Sequence, residues 1–390
     1  MIPSAGTPIK IRDILTAAST SCDLQKKVGE MIVARYAFAV NSGTTAFYII
    51  LRALKGLCDK KGLCKDEIIL PAYTAPSLIL PIKKAGLRYR LVDMSLDTFN
   101  MDIEKTSEAT SDNTLAVLGV HMFGLPMDIS GLNSRLKTQN SKLFVIDDAA
   151  SSFGTKKGNN CCGALCDAGF ISFNRGKNLS TVSGGIIVTD DDEFARAVSR
   201  EIDGLPQPGL MARTKIALKA LALSYAVRPW FYTMLRKAIS KFKYTTLHED
   251  FDSFRYTGFQ EALGCSLLKR AEGIFNDREA KGLMLYEGLK NISGIRLPRL
   301  PGGWRVVFNQ FPLLVEDAQK RMSVIDALLA EGLEATVLYD KSINRIYGVA
   351  GDYPNAEYMA DRLVLIPVHH YVPAGSLQRA VRTIERTLNR

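Results

Sequence analysis

Alternation of short β-rich runs with helical stretches constrains this chain more than any other feature. The β-rich runs are Ile68–Leu70, Tyr89–Val92, Leu115–Val120, Leu143–Ile146, Gly169–Phe173 and Gly185–Val188. Between several of them, Thr44–Lys55, Ser77–Ala85, Ile129–Lys137 and Asp191–Glu201 carry apolar residues at helical spacing. This pattern predicts a mostly parallel sheet covered by helices on both faces. Ligands of such sheets bind in the loops beyond the carboxyl ends of the strands. Farther on, Ala212–Val227 and Pro229–Lys243 read as two helices, because proline suits a first helical turn and breaks a continuous helix. A long helical stretch is expected over Phe259–Lys290. A shorter α+β region follows, with a strand at Gln310–Val315 and helices at Ala318–Glu331 and Ser376–Leu388. The expected layout is a large α/β domain over 1–245 and a smaller C-terminal α+β domain over 246–390. That suits a chain of 390 residues, at about 150 residues per domain.

Composition excludes several classes. With 47% hydrophobic and 23% charged residues, the chain is neither disordered nor a disulfide mini-scaffold. No uncharged apolar run approaches the roughly 20 residues of a membrane span. The first residues, MIPSAGTPIKIRDIL, lack the pattern of a secretory signal, so a cytoplasmic location is expected. The seven cysteines are odd in number and show no paired CxxC spacing, which predicts free thiols in a reducing compartment. Cys161, Cys162 and Cys166 cluster, but a tetrahedral metal site needs a fourth ligand and no histidine is near them in sequence. No metal is expected.

The net charge of +10 is concentrated. Residues 204–248 contain no Asp or Glu and eight cations: Arg213, Lys215, Lys219, Arg228, Arg236, Lys237, Lys241 and Lys243. The rest of the chain is near neutral, which argues against a nucleic-acid binder. Leu218, Leu221, Trp230, Phe231, Met234 and Phe242 interleave with these cations. Basic amphipathic helices of this kind lie on anionic membranes. A helical pair packed into a dimer interface is the plainer alternative.

Four motifs carry the chemistry. Asn41-Ser42-Gly43-Thr44-Thr45-Ala46 places a glycine and hydroxyls at a helix start, where unpaired N–H groups can cup a phosphate. By itself this is no more than a capped helix. Leu143-Phe144-Val145-Ile146-Asp147-Asp148 ends a buried strand in two acids. Such a carboxylate can bind a metal, a ribose or a protonated ring nitrogen. Phe170-Ile171-Ser172-Phe173-Asn174-Arg175-Gly176-Lys177 runs from a strand to a lysine able to form a Schiff base if its pKa is lowered. Ser183-Gly184-Gly185 then permits close backbone approach. Taken together, a phosphate cup, an acid at a strand end and a serine five residues before a lysine are the parts needed to hold pyridoxal phosphate.

The chain resembles the DegT/DnrJ/StrS family of sugar aminotransferases, fold type I pyridoxal phosphate enzymes. The resemblance runs through IPSAGTPI, NSGTTAF, DEIILPAYT, VHMFGLPMDI, VIDDAASSFG, GALCDAGFISFNRGKNLS, SGGIIVTDD, GFQEALG and YPNAEYMADRLVLIPVHH. It implies that Lys177 carries the cofactor as an imine and moves a proton during turnover. It further implies that Asp148 pairs with the pyridine nitrogen and that Gly43, Thr44, Thr45 and Ser172 hold the phosphate. The implied reaction passes an amino group from an amino acid, commonly glutamate, to a nucleotide-linked keto-sugar, in a homodimer. Lysine at 177 separates the chain from related sugar dehydratases, which resemble the family but carry histidine there.

The chain departs from the family at several positions. Ser151 replaces the glutamine that bonds the cofactor's phenolic oxygen. Ala75 replaces the stacking aromatic, leaving Tyr73 as the nearby ring. Ser183 replaces an acid before the paired glycines. Ser253 replaces the asparagine that reaches across the dimer, and no histidine-rich loop is evident in Leu338–Arg345. These losses also admit a catalytically degenerate descendant that serves as a membrane-associated or regulatory partner.

Overall fold

The computed structural model describes residues 1–6, 8–139, 143–240 and 249–389. The side chains of 139 and 235–240 lie outside that description. So does 241–248, where Lys241, Phe242 and Lys243 of the basic segment fall.

The strands are β1 (Tyr36–Val40), β2 (Glu67–Pro71), β3 (Arg88–Val92), β4 (Thr114–Val120), β5 (Phe144–Asp148), β6 (Lys156–Lys157), β7 (Asn160–Cys161), β8 (Ala168–Ser172), β9 (Gly185–Thr189), β10 (Ile295–Arg296), β11 (Phe311–Val315) and β12 (Leu363–Ile366). A seven-stranded sheet runs in the order β1-β9-β8-β5-β4-β2-β3. The pairings β3–β2–β4–β5–β8 are parallel, while β9 is antiparallel to both of its neighbours. Every residue of β2, β4, β8 and β9 is buried. That is why these strands read as continuous apolar runs rather than alternating ones.

Helices expected at Thr44–Lys55 and Asp191–Glu201 extend over Gly43–Lys60 and Asp192–Asp203. The stretch expected as one helix over Phe259–Lys290 is two, Gly258–Leu268 and Ala271–Leu289. The chain leaves helical geometry at Arg270 (φ −118°, ψ 5°), whose guanidinium bonds the Pro8 carbonyl and the Asp13 carboxylate. The basic segment forms helices Leu210–Ala226 and Pro229–Ser240. In the C-terminal region β10, β11 and β12 make a three-stranded antiparallel sheet.

The expectation that all cysteines are free thiols is corrected. Cys22 and Cys265 are joined in a disulfide, while Cys58, Cys64, Cys161, Cys162 and Cys166 are free. Helix Gly258–Leu268 packs on helix Ile11–Ser19, and this tertiary contact brings together two cysteines 243 positions apart. Among the described residues no cluster of three or more metal-ligating side chains occurs. No helix there is long and apolar enough to cross a membrane.

Candidate active site

Strands β1, β8, β5, β4 and β2 run in one direction, so their carboxyl ends share an edge. β9 runs against them and brings its first residue, Gly185, to that edge, paired with Val40 on one side and Ser172 on the other. A Cβ at Gly185 would stand 2.4 Å from the Ser42 carbonyl oxygen. The glycine therefore lets strand β9 lie directly under the start of helix Gly43–Lys60. Ser42 caps that helix, its Oγ accepting from Thr45 N–H at 3.0 Å. The N–H groups of Gly43 and Thr44 are left at the open first turn. Thr45 is fully buried, and its hydroxyl accepts from Ser42 Oγ and donates to the Asp252 carbonyl. Gly43 meets Ser172: a Cβ there would lie 3.1 Å from Ser172 Cβ and 3.2 Å from its Oγ. The first helical turn and the end of β8 thus form one concave cup.

Alternation along β5 sends its two terminal acids to opposite faces of the sheet. Asp147 is fully buried. It accepts from Gly163 and Leu165 N–H at 2.7 and 3.1 Å and pairs with His121 Nε2 at 2.7 Å. Asp148 accepts from Ala150 N–H at 2.8 Å and lies on the side of Lys177. Burial pushes its carboxyl up to about 6, against the pull of the Ala150 N–H, Lys177 and His121. Lys177 follows the turn after β8 and is half-buried. Its Nζ donates to Ser151 Oγ at 2.9 Å. Burial lowers its pKa, opposed by the Asp148 charge. Each group is drawn toward its neutral form by desolvation and held in the charged form by the other. A perturbed acid and amine at a strand-end cup mark a functional site.

The remaining predicted positions fall around this centre. Tyr73 is wholly buried. Its hydroxyl donates to the Tyr339 carbonyl at 3.2 Å, and its ring meets that of Tyr339 edge-on at 5.9 Å. It turns toward the C-terminal region and packs there. Ala75 precedes a 3-10 turn, Pro76–Leu78. Ser183 receives Gln260 Nε2 at its carbonyl (2.8 Å) and hydroxyl (3.2 Å). Ser253 lies in a segment whose neighbours Asp252 and Phe254 bond Asn41 beside the cup.

Ser42, a member of the Asn41–Ala46 motif, caps the cup as the capped-helix reading of that motif has it, whereas Tyr339 belongs to none of the motifs. The Tyr339 phenol is raised by burial first and by the Asp148 charge second, which places it within the field of the site. Tyr339 stands in a segment, 338–345, that carries no histidine and no local pattern to mark it.

The family model for the DegT/DnrJ/EryC1/StrS aminotransferases matches residues 11–385. The chain belongs to that family. It is an aminotransferase-family enzyme whose cofactor is pyridoxal 5'-phosphate. Over 163 residues it is 35% identical to GDP-4-keto-6-deoxy-D-mannose 3-dehydratase of Escherichia coli O55:H7, a match spanning 41% of each protein. Over 360 residues it is 26% identical to UDP-N-acetyl-3-dehydro-alpha-D-glucosamine 3-aminotransferase of Acidithiobacillus ferrooxidans, covering 89% of this chain and 83% of that one. The sugar aminotransferase CalS13 of Micromonospora echinospora superposes with a TM-score of 0.78 at 21% identity, over 99% of this chain and 100% of that one. The last likeness establishes the fold.

The residues present fit the cofactor. The cup offers N–H groups and the Ser172 hydroxyl to a phosphate, the absent Cβ of Gly43 keeps it open, and an acid and an amine of shifted pKa stand beside it.

Proposed function

We propose that this enzyme transfers the amino group of an amino acid, with glutamate the first donor to test, to a nucleotide-linked keto-sugar, and that it works as a homodimer. The observation that carries this reading is Lys177 at the end of the β8 turn, hydrogen-bonded to Ser151 and electrostatically coupled to Asp148. The match to the UDP-sugar 3-aminotransferase over most of both chains supports the acceptor class.

Pyridoxal phosphate supplies an electron sink and a carrier for the amino group. The Gly43 and Thr44 N–H groups and Ser172 Oγ hold its phosphate. The Asp148 carboxylate keeps a proton on the ring nitrogen, and that positive partner restores the charged form that burial disfavours. Lys177 would hold the cofactor, and its free amine would move a proton at the substrate carbon. Its lowered pKa raises the fraction present as free amine, the form able to accept that proton. Ser151 orients the Lys177 nitrogen by accepting its hydrogen bond.

The test is the visible spectrum of the purified protein before and after glutamate, followed by borohydride trapping and peptide mapping. A yellow protein is expected that traps cofactor on Lys177 when borohydride is added before glutamate and that bleaches, losing the trappable bond, when glutamate is added first; a panel of nucleotide-linked keto-sugars then identifies the acceptor. A protein that stays colourless when supplied with pyridoxal phosphate overturns the proposal.

A further inference from the structure

The proposed reaction uses nothing from 204–248, the segment with eight cations and no acid. Helix Leu210–Ala226 is held to the body along one narrow face. Ala220 and Ser224 are buried, Leu223 packs against the core, and the helix contacts helix Ile11–Ser19. The next helix is tied down where Tyr232 Oη donates to Glu334 at 3.0 Å.

The outward faces are not those of an ordinary solvated helix, which are polar. Leu210 is 79% exposed, Met211 84%, Leu218 66%, Trp230 60% and Met234 74%. Met211, Lys215 and Leu218 follow one another at helical spacing on one side, as do Trp230 and Met234 on theirs. Arg213, Lys215 and Lys219 are exposed among them. A single exposed Leu needs no explanation, but large apolar side chains grouped with cations and no acid form a patch.

A second copy of the chain is a poor occupant. A two-fold interface centred on this hairpin would set the same cationic surface against itself. A nucleic acid would satisfy the cations but offers nothing to Leu218, Met211 and Met234 at the phosphate backbone. An anionic lipid surface satisfies both sets: apolar tips enter the headgroup boundary and lysines reach lipid phosphates. We propose that the helical hairpin 210–240 docks this enzyme peripherally on an anionic lipid surface.

The experiment is vesicle flotation with the full-length holoenzyme. Phosphatidylglycerol–phosphatidylcholine vesicles at about 3:7 are compared with pure phosphatidylcholine, across rising salt. Flotation with the anionic vesicles alone, released by salt, is expected. Lys215→Gln and Lys219→Gln should each weaken binding roughly fivefold while the cofactor's visible absorbance is unchanged. The chain has two tryptophans, so Trp304→Phe leaves Trp230 as sole reporter, and its emission should shift to the blue with anionic vesicles. Three results would each overturn the proposal: no flotation, equal flotation with neutral vesicles, or equal competition by duplex DNA. Dissociation of an oligomer by Leu218→Ser in size-exclusion chromatography would likewise overturn it, by placing this face between subunits.

Discussion

Asp148 and Lys177 act on each other through their charges, and each is drawn toward neutrality by its burial. Such a pair is costly without a ligand and ready for one carrying a cationic ring nitrogen and an aldehyde. Lys177→Ala should abolish transamination while circular dichroism and the thermal transition stay native. Asp148→Asn keeps an oxygen for the Ala150 N–H but cannot carry the charge, and should lower kcat by at least about 100-fold. The same variant has a pH signature in the cofactor-free protein. The folded carboxyl is raised from 3.8 to about 6, so its contribution to stability is full below 3.8 and is lost as pH rises through about 6. Near pH 8 the asparagine variant should therefore be the more stable by on the order of 3 kcal/mol. The difference should vanish below about pH 4. Urea denaturation across this range measures it, and a pH-independent difference would remove Asp148 as its source.

At the scale of elements, the site depends on how closely the start of helix Gly43–Lys60 approaches β8 and β9. Two glycines permit this for different reasons. At Gly185 a Cβ would collide with the Ser42 carbonyl at 2.4 Å and the Gly43 nitrogen at 2.9 Å, both backbone atoms. Gly185→Ala should cost roughly 1–3 kcal/mol in thermal or chemical denaturation, by forcing helix and strand apart. At Gly43 the neighbour is the Ser172 side chain at 3.1–3.2 Å, which can yield, and alanine favours the helix. Gly43→Ala should therefore leave stability nearly unchanged and weaken cofactor retention by about tenfold or more, measured by fluorescence on titration with pyridoxal phosphate. Equal retention would move the phosphate away from this cup.

Across the whole molecule, the Cys22–Cys265 disulfide ties the segment after helix Ile11–Ser19 to helix Gly258–Leu268. It closes a loop of 243 positions, and long loops restrict the unfolded chain most. Reduction, or Cys22→Ser, should destabilise the protein by roughly 2–5 kcal/mol, read as a lower Tm with reductant present. A Tm indifferent to reductant would show that the pairing contributes nothing. The same helix packs on helices Ile11–Ser19 and Leu24–Ile32, although it follows residue 245. We therefore propose that any division into two domains falls beyond it, toward helix Ala271–Leu289. Limited proteolysis would locate the boundary.

What could be read from the chain by itself was whatever repeats or clusters locally. Apolar runs bounded by turn residues revealed β2, β4, β8 and β9, because a strand buried throughout has few polar positions to disguise it, while β3 and β5 were legible from their shorter apolar stretches. The motifs around Gly43, Asp148, Ser172 and Lys177 were legible because each needs its residue types within a few positions. β1 was passed over: Tyr36–Val40 is short and sits at the sheet edge, only its last two residues buried. Which strands become neighbours, where a long helix breaks on the Arg270–Asp13 contact, which cysteines meet and whether Tyr73 turns to Tyr339 were decided by tertiary structure. Each depends on partners far apart along the chain, and local periodicity encodes a segment's shape and its buried face but not the surface that covers it.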